Sequence, residues 1–207
     1  MALRATHVTE SDVRDYFSTL FDVLCNLNVT SASGRPIAIA DAIGAMVERA
    51  RDGHAKCKRM IFVGNGGSAA IASHMATDYS KNGGIRALSF NDGSMLTCLG
   101  NDYGFEHVFA KQIEFYATRG DLVVAISSSG KSPNILNAVN AARTIGCTIL
   151  TLSGFAPDNP LRSLGDVNLY LKSDLYGFVE IGHLALCHAI VDYSMERDGR
   201  GAAGRQS

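Results

Sequence analysis

The chain has no basic block, no long apolar run and no paired cysteines, and each absence excludes a class of protein. Its 207 residues carry 19 Lys and Arg against 20 Asp and Glu, a formal net charge of −1. Electrostatic binding to nucleic acid needs a cluster of cations, so no nucleic-acid partner is expected. The longest apolar runs are of core-strand length, well short of the roughly 20 residues that cross a bilayer, so no membrane segment is expected either. Residues Met1 to His7 lack the apolar stretch of a secretory signal. The five cysteines, Cys25, Cys57, Cys98, Cys147 and Cys187, are scattered and form no C-x-x-C pair. Four read as buried free thiols and Cys57 lies between lysines, the pattern of a cytoplasmic protein, not of a disulfide or zinc-ribbon framework.

Hydrophobic residues make up 46% of the chain, enough for one domain with a sizeable core. Helical spacing of Val13, Phe17, Leu20, Phe21 and Leu24 predicts a helix over about 10–27, capped by Ser11 or Thr9. A break at Ser31 to Pro36 precedes a second helix from about 37 to 51. Strands then alternate with helices: strands at 59–63, 86–90, 121–127, 147–153 and 166–172, and helices at 67–80, 93–100, 105–117, 133–145 and 177–196. Alternation with nearly all-apolar strand runs is the signature of an α/β fold whose parallel sheet is covered on both faces. Three segments are expected: N-terminal helices over 1–54 that serve oligomerisation, an α/β domain over 55–197, and a disordered Gly-rich tail over 198–207.

Two Gly/Ser-rich loops follow predicted strands and open predicted helices. The first is Gly64-Asn65-Gly66-Gly67-Ser68; the second is Ser127-Ser128-Ser129-Gly130-Lys131-Ser132. Such loops place free N–H groups and hydroxyls where the helix dipole favours an anion. One loop alone is also what an ordinary capped βα turn looks like. Gly64-x-Gly66-x-x-Ala69 further satisfies a dinucleotide fingerprint, with Asp92 as its ribose-binding acid, but that reading leaves the second loop unexplained. Gly130-Lys131-Ser132 ends like a P-loop, yet Ala125 stands where the first glycine must be. Two anion loops in one short α/β chain point to a phosphorylated small molecule.

A third constellation carries titratable groups. His74 and Asp78 share a helix face, and Glu180, His183 and His188 lie on the last helix. Two histidines and two carboxylates arriving from two helices suit a divalent metal, or a general acid and base. Solvated surface acids and hydrogen-bonded core histidines produce the same spacing.

Taken in order, the GNGGS loop, His74, Gly100-Asn101-Asp102-Tyr103-Gly104, the Ser-rich loop continuing into Pro133-Asn134-Ile135, and Glu180-x-x-His183-x-x-x-x-His188 resemble the sugar isomerase (SIS) domain family. Within it they are similar to the phosphoheptose isomerases, over about residues 10–197. The resemblance implies a three-layer αβα sandwich with a five-stranded parallel sheet, plus an N-terminal helical hairpin. It implies a homotetramer with active sites at subunit interfaces. Ser68, Ser127, Ser129 and Ser132 match phosphate-holding positions, with Gly66, Gly67, Ser128 and Lys131 in the same loops. Asn65, Asp92, Asn101 and Asp102 match the sugar pocket. His188 matches the catalytic histidine, and His74 a zinc ligand of part of the family.

Three residues depart from the family pattern. Asp78 stands for Glu, Glu180 for Gln, and Gly177 for Asp. The implied activity is interconversion of a ketose phosphate and an aldose phosphate, best matched by sedoheptulose 7-phosphate and D-glycero-D-manno-heptose 7-phosphate. Asp78 and His188 are the expected base and acid, and Glu180 a metal ligand or alternative base. One Zn²⁺ per subunit is expected on His74, Asp78, Glu180 and His188. The alternative is a non-catalytic SIS protein that binds a phosphosugar as a regulatory signal, or one that binds a replication initiator.

Overall fold

The computed structural model describes residues 8–199. The sequence reading at Met1 to His7 lies outside them, and so does the expected tail beyond Gly199. Helix α1 (Glu10–Cys25) is capped by Thr9, whose hydroxyl accepts from the Asp12 N–H while the Asp12 carboxylate accepts from the Thr9 N–H, a reciprocal box. Strand β1 (Asn28–Ser31) and helix α2 (Ile39–Ala55) follow. Then come β2 (Met60–Gly64), α3 (Gly67–Lys81), β3 (Ala87–Ser89), α4 (Gly93–Tyr103), α5 (Val108–Tyr116), β4 (Leu122–Ser127), α6 (Pro133–Ile145), β5 (Thr148–Ser153), β6 (Val167–Tyr170) and α7 (Tyr176–Arg197).

The strands form one sheet in the order β1-β6-β5-β4-β2-β3. Five strands, β2 to β6, are parallel, as expected. The sixth, β1, lies antiparallel on the β6 edge with Asn28 opposite Tyr170. Its residues lead into the segment read from sequence as a break. A four-residue edge strand with one buried position has too little apolar pattern to announce itself.

Alternation along each strand divides the core. Met60 and Phe62 of β2, with Leu122, Val124 and Ile126 of β4, face the layer of α2, α3 and α7. Ile61, Val63, Val123 and Ala125 face the layer of α4, α5 and α6. Helices α1 and α2 both pack on α7. Helix α1 buries no residue fully and leaves Val13, Tyr16, Phe17 and Phe21 exposed. Cys147 and Cys187 are buried, whereas Cys25 and Cys98, expected to be buried, are exposed, as is Cys57. No described helix is long and apolar enough to cross a membrane.

The chain turns one way from β2 to β3 and places β4 on the opposite side of β2. Ligands of open parallel sheets bind where this reversal occurs, outside the carboxyl ends of the strands. Here those ends are Gly64 and Ser127, the starts of the two small-residue loops.

Candidate active site

Between these strand ends lies a hollow of about 230 Å³. It is lined by residues of both loops, including Asn65, Gly66, Gly67, Ser68, Ser127, Ser128, Ser129 and Ser132, together with Tyr176 and Glu180 of α7. Neither helix that opens onto it is closed by a side chain. Gly66 is the N-cap of α3, and the Ser132 hydroxyl makes no capping bond to α6, which has Pro133 in its first turn. First-turn N–H groups are thus left for a ligand, in a cradle with a partial positive charge.

The second loop is held from beneath. Gly130 has φ +62°, and a side chain there would run into the buried Asn159 carboxamide. Asn159 donates to the Ser153 hydroxyl and to the Gly154 and Ala156 carbonyls, and the Leu161 N–H donates to the Gly130 carbonyl. The Gly130 N–H donates to the Ser127 hydroxyl at 3.1 Å, and the Ser127 and Ser132 hydroxyls stand 3.3 Å apart. In the first loop, Asn65 and Asn134 exchange side-chain hydrogen bonds of 2.9 Å, tying the loop to α6. Asn134 belongs to the Ser-rich motif but carries no role of its own in the sequence, and Asn159 and Tyr176 carry no sequence signal for this region. Asn159 stands in a Pro-flanked segment that reads as plain loop, and only the fold brings it under Gly130.

The second part of the site lies farther along α3 and α7. His74, Asp78 and His188 bring ligand atoms within 4.8 Å of one another. Asp78 Oδ2 lies 3.5 Å from His74 Nε2 and 3.9 Å from His188 Nδ1, and the two imidazole rings are 5.4 Å apart. These separations exceed hydrogen-bond lengths and leave a gap among three donors. Two neutral imidazoles and one carboxylate are a donor set that catalytic zinc sites use, with positions left open for substrate. The buried Tyr79 hydroxyl donates to the Cys187 carbonyl at 2.9 Å, and so fixes α3 against α7 beside Asp78 and His188. Tyr79 was also missed, since its hydroxyl pairs with a backbone atom 108 positions away.

Within this chain Glu180 stands apart from this group, which holds only His74, Asp78 and His188. It precedes His188 by eight residues, about 12 Å of helix rise. Its carboxylate instead lies over Gly67, so close that a Cβ on Gly67 would overlap it. His183, between the two ends, is fully buried with no hydrogen-bond partner on either ring nitrogen. Burial lowers its pKa to about 4, opposed by the nearby Ser153 backbone.

Other expected site residues stand apart within this chain. Asp92 caps α4, accepting from the Met95 N–H at 2.9 Å and the Ser94 hydroxyl at 2.7 Å. Those two bonds, the backbone one first, lower its pKa. Asn101 and Asp102 are exposed near the end of α4 and bond to each other. Lys131 is exposed beside the hollow and does not line it. A larger hollow, about 680 Å³ between α2 and α7, is mostly aliphatic and holds none of the expected site residues.

Residues 16–154 match the model of the SIS domain. The chain belongs to the SIS domain family. This SIS chain is 38% identical over 167 residues to the phosphoheptose isomerase of Pelobacter propionicus, covering 78% of this chain and 86% of that one. Among solved structures it is similar to the phosphoheptose isomerase of Neisseria gonorrhoeae, with a TM-score of 0.77 and 28% identity over 89% of this chain and 98% of the other. The sugar isomerase domain of an RpiR transcription factor from Sphaerobacter thermophilus shares the fold, with a TM-score of 0.59 and 19% identity over 91% and 92% of the two chains.

Proposed function

We propose that this SIS protein is an aldose–ketose isomerase that interconverts sedoheptulose 7-phosphate and D-glycero-D-manno-heptose 7-phosphate. The observation that carries the substrate class is the spacing of the two parts of the site. From Gly67, at the cradle, to His74 the helix rises about 10.5 Å, and an extended heptose 7-phosphate spans about 10 Å from phosphorus to C1. Phosphate in the cradle sets the C1–C2 end at the His74–Asp78–His188 group.

In this reading the hydroxyls of Ser68, Ser127, Ser129 and Ser132, with first-turn N–H groups of α3 and α6, hold the phosphate. Fixing that end orients the reacting carbons and lowers the entropic cost of alignment. Asp78 takes a proton from C1 of the ketose and returns one to C2. His188 delivers a proton to the C2 oxygen and accepts one from the C1 hydroxyl, so that an enediol forms and collapses to the aldose. His74, Asp78 and His188 would hold a divalent ion such as Zn²⁺, which supplies polarisation of the carbonyl when bound.

The rest of the assembly follows the same reading. The exposed stripe of Val13, Phe17 and Phe21 supports an oligomer, taken as a homotetramer built through the N-terminal helices over 1–54. Neighbouring subunits in such a tetramer are the route by which Asp92, Asn101 and Asp102 would reach a sugar. The scattered free cysteines support a cytoplasmic location.

The test is incubation with sedoheptulose 7-phosphate, with and without Zn²⁺, followed by NMR. A new aldose phosphate is the expected result. Binding without turnover under both conditions would instead favour a phosphosugar-sensing protein.

A further inference from the structure

Glu180 sits where the ligand's own charge is expected. Its carboxylate covers Gly67, the first helical residue of α3, at the positive end of that helix dipole. It lines the same hollow as the Ser68, Ser127, Ser129 and Ser132 hydroxyls. No Lys, Arg or His of the described residues lines that hollow. The cradle therefore contains one built-in anion and no side-chain cation to offset it. Gly67 has no side chain, and that absence lets the carboxylate settle there.

We infer that Glu180 sets the anion affinity of this site: its carboxylate occupies the α3 end of the phosphate cradle in the free protein, and an incoming phosphate must displace it. The inference rests on the phosphosugar reading and deepens it. Two like charges cannot share one helix end without cost, so binding is weakened by the work of moving Glu180 aside. The penalty falls equally on every phosphate-bearing ligand, so it leaves their relative affinities unchanged and sets the absolute affinity of the cradle: bare anions are held weakly, and a ligand needs further contacts at the His74–Asp78–His188 group to bind well.

The experiment is titration calorimetry of inorganic phosphate into the full chain, wild type and Glu180→Gln, with EDTA present so that the metal cluster does not contribute. Gln is nearly isosteric, and Glu180→Ala serves as a second variant that lacks the charge. Both are expected to bind phosphate at least about tenfold more tightly than wild type. The ratio is expected to shrink as NaCl rises from about 50 mM to about 500 mM, because screening weakens repulsion between charges and leaves a steric effect unchanged. Equal or weaker binding by both variants, or a salt-independent ratio, would overturn the inference while leaving the cradle intact. Phosphate binding to none of the three proteins, at any salt concentration, would overturn both the inference and the phosphosugar reading.

Discussion

The two ends of the site are built from different materials. The cradle is made of backbone N–H groups, serine hydroxyls and glycines on two adjacent loops, with Ser68, Ser127 and Ser128 buried. The other end is made of three titratable side chains on α3 and α7, His74, Asp78 and His188, of which His74 is half exposed. The cradle is held by a dense local network through Asn65, Asn134 and Asn159. The other end is tied by the buried hydrogen bond from Tyr79 to Cys187 and by the apolar packing of α3 on α7. A rigid anchor and a side-chain reaction centre suit a ligand that is gripped at one end and changed at the other.

If the two ends have separate jobs, substitutions should separate kcat from KM. Asp78→Asn removes the proposed base and keeps its shape. It is expected to lower kcat roughly 100- to 10,000-fold with little change in KM, measured by a coupled assay or NMR. A proportionate rise in KM would mean that Asp78 binds substrate and does not move a proton.

Ser127→Ala with Ser129→Ala addresses the opposite end. Each lost hydrogen bond to a charged phosphate costs about 1.5–3 kcal/mol, so kcat/KM should fall at least about tenfold per serine, mainly through KM. The His74–Asp78–His188 end should be untouched, which metal content of the purified variant would verify.

His183 lies between the two ends and tests the fold that joins them. Its native pKa of about 4 lies below the ordinary 6.5. The unfolded chain therefore binds a proton that the native chain refuses. Stability from this group is complete above pH 6.5 and is lost as pH falls toward about 4, by about 3 kcal/mol in total. His183→Leu, of similar volume, should flatten that slope in denaturant titrations repeated across pH. An unchanged slope would mean that another group governs acid stability.

The smallest effect is expected at Tyr79. Tyr79→Phe removes the hydrogen bond to the Cys187 carbonyl and should cost about 1 kcal/mol in thermal unfolding. Because the tie holds Asp78 against His188, kcat should fall more than KM rises. Equal kcat in the variant would show that packing alone aligns the two helices.

The cradle was legible in the sequence because its chemistry is local. A Gly/Ser run between a strand-like and a helix-like run needs no distant residue to be recognised, and β2, β4 and β5 showed themselves as nearly continuous apolar runs. The pairing of His74 and Asp78 was equally local. What the sequence could not show is relative height along two packed helices. Glu180 and His188 share a helix and nearly a face, yet the parallel course of α3 and α7 sets Glu180 opposite Gly67 and His188 opposite His74. Tyr79 was hidden because its hydroxyl bonds to backbone 108 positions away, and Asn159 because only the fold packs it under Gly130. Strand β1 was hidden by its shortness and by its place at the edge of the sheet.

The central claim is that the cradle and the His74–Asp78–His188 group lie one heptose phosphate apart. The most direct test is a series of ketose phosphates phosphorylated at the terminal carbon, with five, six and seven carbons, compared by kcat/KM under one set of conditions. kcat/KM should rise with each carbon and be highest for the seven-carbon sugar, because only that chain reaches Asp78 with its phosphate held. A five- or six-carbon substrate turned over as well as or better than the seven-carbon one would contradict it.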